Sequence, residues 1–129
     1  MAFPHCFLFT FFLLFPSFHY LSTSSTLGRL ENVSVYIRSD LPKEYTDVPL
    51  HLGCSDDHYL FFLKRGHHYI CNINTEDQDL KCSAGWLTYY KFWKAYEVER
   101  DKGHHTVYWS VRQDSFYQSF DRSKWMFRE

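Results

Sequence analysis

Thr106-Val107-Tyr108-Trp109-Ser110-Val111-Arg112 alternates apolar and polar side chains with a period of two. That spacing puts Val107, Trp109 and Val111 on one face of a β-strand and Thr106, Tyr108, Ser110 and Arg112 on the other. The same alternation occurs near the start of the charged part of the chain, where Val33, Val35 and Ile37 interleave with Ser34, Tyr36 and Arg38. Between these two half-buried strands lie short β-prone runs at residues 49–54, 59–63, 67–73, 80–86 and 92–99, and 116–120 and 125–127 follow. Turn-forming residues separate them at Ser39-Asp40-Leu41-Pro42, Ser55-Asp56-Asp57, Lys64-Arg65-Gly66, residues 74–79, Asp101-Lys102-Gly103 and Gln113-Asp114-Ser115. Strands recurring about every eight to twelve residues, with no long 3.6-residue period, predict an all-β fold, a small antiparallel β-sandwich or barrel in a single domain. Residues 87–96 are the one stretch whose aromatics a helical turn would also gather.

Composition agrees with a packed domain. The chain has 129 residues, of which 21% are Phe, Tyr or Trp, with only 5 Gly and 4 Pro, which excludes disordered and collagen-like chains. Fourteen Lys and Arg stand against 15 Asp and Glu. A net charge of −1 supplies no attraction to nucleic acid or to an anionic membrane.

The aromatic residues are unevenly spread: 7 of the 13 Phe lie at or before Phe18, and the first Lys or Arg is Arg29. Residues 6–18 read as the apolar part of a secretory leader, followed by the small residues Ser22-Thr23-Ser24-Ser25. Residues 1–25 are therefore expected to be a cleaved signal peptide and 26–129 the mature domain, secreted and extracellular with no membrane insertion. Cleavage removes Cys6 and leaves Cys54, Cys71 and Cys82. Three cysteines in an oxidising compartment predict one bridge and one spare thiol. Asn32-Val33-Ser34 is a glycosylation sequon, with Asn32 the acceptor of an expected glycoprotein.

No motif supplies chemistry. Adjacent histidines, His67-His68 and His104-His105, point to opposite faces of a strand and cannot grip one metal together, and His51 and His58 stand apart. There is no CxxC and no nucleophile or phosphate-loop motif, and Asp56-Asp57 supplies too few oxygens for calcium. No catalytic residue, metal or cofactor is expected, and the four Trp read as core. Sandwich domains recognise partners through the loops at their ends, so the candidate contact residues are Asp56, Asp57 and His58, Glu76 and Asp77, and Arg100, Asp101 and Lys102.

Read in order, Val33-Ser34-Val35-Tyr36-Ile37, Leu50-His51-Leu52-Gly53-Cys54-Ser55-Asp56-Asp57, Lys64-Arg65-Gly66, Leu80-Lys81-Cys82-Ser83-Ala84-Gly85-Trp86 and Val107-Tyr108-Trp109-Ser110-Val111-Arg112-Gln113-Asp114-Ser115-Phe116-Tyr117 resemble the plant self-incompatibility protein family. The resemblance covers roughly residues 32–125. It implies a non-enzymatic β-sandwich ligand of the apoplast, read by a cell-surface receptor, in the family's best-understood members to arrest self pollen. It also implies a Cys54–Cys82 disulfide, because the family's downstream cysteine pair is replaced here by His104 and Val107. Cys71 has no counterpart in the pattern, which makes it a possible intermolecular link in an otherwise monomeric protein. Ser115 stands where the family often has Gly after Asp. The rival expectations are a small secreted nuclease-like hydrolase and a cell-wall carbohydrate-binding module with exposed Tyr and Trp.

Overall fold

In a computed structural model of the chain, residues 5–9, 32–54, 60–74 and 77–128 are described. They form an all-β structure of two sheets. The strands in chain order are β1 (His5–Phe9), β2 (Val33–Ser39), β3 (Leu50–Cys54), β4 (Phe61–Leu63), β5 (His68–Ile73), β6 (Leu80–Trp86), β7 (Tyr89–Tyr96), β8 (Thr106–Val111), β9 (Phe116–Ser119) and β10 (Met126–Phe127). The larger sheet has the order β1-β5-β2-β8-β9-β10 and the smaller β4-β3-β6-β7. A single helical turn, α1 (Val98–Asp101), links β7 to β8.

Alternation decides which residues the sheets bury between them. Val33, Val35 and Ile37 of β2 and Val107, Trp109 and Val111 of β8 are at most 1% exposed, and they face Leu50, Leu52, Leu80, Ala84, Trp93 and Ala95 of the smaller sheet within one core. Rings cross the interface: Trp93 meets Trp109 at 5.8 Å and Phe116 at 4.7 Å, both edge to face. The Trp109 indole Nε1 donates to the Ala95 carbonyl at 2.7 Å, which satisfies the polar end of the largest fully buried side chain.

Three features differ from the sequence reading. The first is direction, since β2 and β8 run parallel, with Val35 opposite Val107 and Tyr36 opposite Tyr108. Alternation specifies which face a side chain takes but not which way the neighbouring strand runs. Here five strands, β3 to β7, separate β2 from β8 in the chain, so no hairpin forces an antiparallel pair. The second is residues 87–96, which are strand from Tyr89 onward. Leu87, at φ 54°, turns the chain tightly so that Trp86 pairs with Tyr89, while the helical turn comes later, at Val98–Asp101.

The third is Cys71. Rather than a spare thiol it is fully buried and bonded to Cys6, because antiparallel pairing of β1 with β5 sets the two residues directly opposite each other. In the 129-residue chain no sulfur of Cys71 is left for an intermolecular link. Cys54 and Cys82, also cross-strand partners, form a second disulfide on β3 and β6. At the β8–β9 hairpin the Arg112 amide donates to the Ser115 carbonyl at 3.0 Å, so Gln113 and Asp114 occupy the turn centre. Neither has a positive φ. Ser115 therefore stands where the backbone does not require glycine.

Candidate functional site

Two of the three loop regions chosen from the sequence meet at one end of the molecule. Lys102 Nζ lies 3.6 Å from the Asp77 carboxylate. Beside them, Asp79 Oδ1 accepts the Val98 amide at 2.8 Å, and Lys94 Nζ sits between Asp79 at 3.2 Å and Glu97 at 3.6 Å. The Val98 amide, and after it the Lys94 ammonium, holds the Asp79 carboxyl below the usual carboxylate range despite partial desolvation. Glu99 and Lys81 extend the same shallow depression. The result is a mixed-charge surface fixed by strand ends and one helical turn, suited to a partner with its own patterned charge.

Not every chosen residue belongs to that surface. Asp56, Asp57, His58 and Glu76 lie outside the described residues. Asp101 is fully buried and Arg100 is mostly buried, its guanidinium 5.2 Å over the Trp109 ring and bonded to Asp101 and to the Lys94 carbonyl. Their polarity reflects an internal ion pair, which composition cannot distinguish from an exposed loop. The sequence reading chose neither Lys94 nor Glu97 as a contact residue, because in a strand residues three apart point to opposite faces and the pair meets only where the chain leaves β7 for α1. Asn32 is exposed one residue before β2. Among the described residues no cluster of His, Cys, Asp or Glu is arranged to hold a metal, and no helix is long and apolar enough to cross a membrane.

A second concentration of polar and aromatic groups lies on the outer face of the larger sheet, where the parallel pairing stacks Tyr36 on Tyr108 at 5.1 Å. Arg122 lies 4.6 Å over the Tyr108 ring and 5.7 Å over Tyr36. A tight turn aims it there. The Ser119 hydroxyl accepts the Arg122 amide at 2.8 Å and Asp121 Oδ1 accepts the amides of Ser123 and Lys124, which holds the Asp121 carboxyl far below its ordinary range. Nothing in the sequence places Arg122 against Tyr36, because the approach depends on strand direction and on this turn. Together with Arg38, Asp40, His68, Trp109 and Trp125 these residues line a cleft of about 140 Å³.

His68, at the edge of that cleft, has its pKa lowered from 6.5, first by burial and then by the positive charges of Arg122, Arg38 and His67. A histidine whose folded pKa lies below its unfolded value favours folding fully above the unfolded pKa, and that contribution is lost as pH falls through the folded one. Thermal unfolding is expected to show Tm falling between about pH 7 and 5. His68→Gln flattens the fall; an unchanged slope would mean that other groups carry it.

A third surface is apolar. On the outer face of the smaller sheet Phe62, Tyr90 and Phe92 are 58–72% exposed, and Tyr90 lies across Gly85, where a Cβ would meet its ring at 2.9 Å. The four Trp take no part in it, Trp86, Trp93 and Trp109 being buried and Trp125 half-buried. Comparison of the chain with protein-family models, curated proteins and solved structures finds no match.

Proposed function

We propose that this protein is a small secreted signalling ligand, read by a cell-surface receptor through the mixed-charge end formed by Asp77, Asp79, Lys94, Glu97 and Lys102. The observation that carries the reading is the Lys102–Asp77 contact, which joins two separate loop regions into one recognition surface. Support also comes from the resemblance of residues 32–125 to the plant self-incompatibility family, and from the Cys54–Cys82 disulfide within the expected mature chain, which is compatible with an oxidising compartment. The process served is rejection of self pollen or another exchange between cells.

The test is binding of labelled protein, secreted from plant cells, to intact plant cells. Asp77→Lys and Lys102→Glu each reverse a rim charge and are expected to weaken saturable binding about tenfold, chiefly through the association rate and more at low salt. Binding that neither substitution changes overturns this surface. Retention on a polysaccharide column, lost on Phe92→Ala, would favour the wall-binding rival through the exposed aromatic face.

A further inference from the structure

We infer that the cleft between Tyr36, Tyr108 and Arg122, on the outer face of the larger sheet, is a binding site for a carboxylate carried on a six-membered ring. The charge balance supports an anion. Two guanidinium groups, Arg38 and Arg122, line the cleft with one carboxylate, Asp40, which is already occupied. Asp40 pairs with Arg38 Nε at 2.9 Å and accepts the Ser110 hydroxyl, and Ser110 in turn accepts Arg112 Nε at 3.0 Å. Arg122 has neither an ion pair nor a side-chain hydrogen bond among the described residues, only the faces of Tyr36 and Tyr108 beneath it. A guanidinium flat on a ring keeps its N–H edge available, and that planar fork matches the two oxygens of a carboxylate.

The walls select what the carboxylate is attached to. Tyr36 and Tyr108 present stacked rings tilted by only 30°, and the half-buried Trp125 adds apolar surface. A free inorganic anion bound to Arg122 would leave the apolar wall beside it unused, whereas a ring carrying the carboxylate gains burial against the tyrosine rings and Trp125. About 140 Å³ is room for one such ring. The positive field that disfavours protonation of His68 also disfavours a cationic ligand. Two chemistries carry this group, an aromatic acid and a uronic acid residue of a polysaccharide. The site is independent of the receptor-binding reading.

The experiment follows the aromatic resonances of Tyr36 and Tyr108 in the full oxidised protein by NMR while benzoate, trigalacturonate or neutral benzamide is added. One of the two acids is expected to shift both tyrosines saturably with a Kd of about 1–10 mM, and the tighter of the two identifies the source. Arg122→Gln weakens that binding at least fivefold, and Arg38→Gln weakens it as well. Lys102→Gln, at the charged end, leaves it unchanged. Absence of saturation with both acids, equal shifts with benzamide, or affinity unaffected by Arg122→Gln overturns the site.

Discussion

Asp101→Ala is expected to lower the unfolding free energy by about 3–5 kcal/mol, the range for stripping one partner from a buried ion pair. The carboxylate is fully buried and both its oxygens are used twice. Oδ1 accepts Arg100 Nε and Gln118 Nε2, each at 2.8 Å, while Oδ2 accepts the Glu97 amide at 2.9 Å and Arg100 Nη2 at 2.6 Å. Its removal leaves the Arg100 charge, which is only 20% exposed, with the Lys94 carbonyl and a distant Glu97 carboxylate at 3.9 Å, and leaves the Glu97 amide and the Gln118 side chain short of a partner. Gln118 also accepts Arg128 Nε at 2.8 Å, so the loss spreads from α1 to the last strands of the larger sheet. Asp101→Asn keeps the shape and some hydrogen bonds and costs less. Urea unfolding of the three proteins checks this; a loss below about 1 kcal/mol for Asp101→Ala would show that the carboxylate is solvated and that α1 is held by something else.

The same residue marks where sequence reading stops. Strands were legible because burial of one face imposes a period of two: 80–86 coincides with β6, and 49–54, 67–73 and 116–120 miss β3, β5 and β9 by a single residue at one end. The run expected at 92–99 was displaced, because the tight turn at Leu87 starts β7 at Tyr89 and the backbone then coils at Val98. What local pattern does not carry is pairing. Whether β8 lies parallel to β2 determines that Tyr36 meets Tyr108, and so whether the cleft exists. Charge in a loop is equally ambiguous, since Lys102 and Asp101 are adjacent in sequence, yet one is exposed and the other has no exposed surface. The mixed-charge end was partly visible because its residues sit beside turn formers, and the aromatic cleft was not, because its members come from β2, β5, β8 and a later turn.

Replacing Cys54 and Cys82 by Ala is expected to cost about 3.5 kcal/mol from loop closure, for a sequence separation of 28. Both sulfurs face the core at 2% exposure, so lost packing adds to this. Against a total of about 5–15 kcal/mol for a domain of this class, that is a large fraction of its stability. Unfolding free energies of the variant and the parent from urea titration should differ accordingly, and a difference under about 1 kcal/mol would show that the bridge constrains the unfolded chain little. Cys71→Ala sharpens the comparison. In the chain that keeps residues 5–9 it breaks the bridge to Cys6, whose separation of 65 predicts about 4 kcal/mol. In a secreted chain beginning near residue 26 there is no such bridge to break, and deleting one buried sulfur costs about 1 kcal/mol. The cost of Cys71→Ala in the secreted protein therefore reports whether β1 is still part of the larger sheet. A value near 4 kcal/mol would overturn removal of the leader, whereas one near 1 kcal/mol leaves Cys54–Cys82 as the bridge on which the mature fold depends.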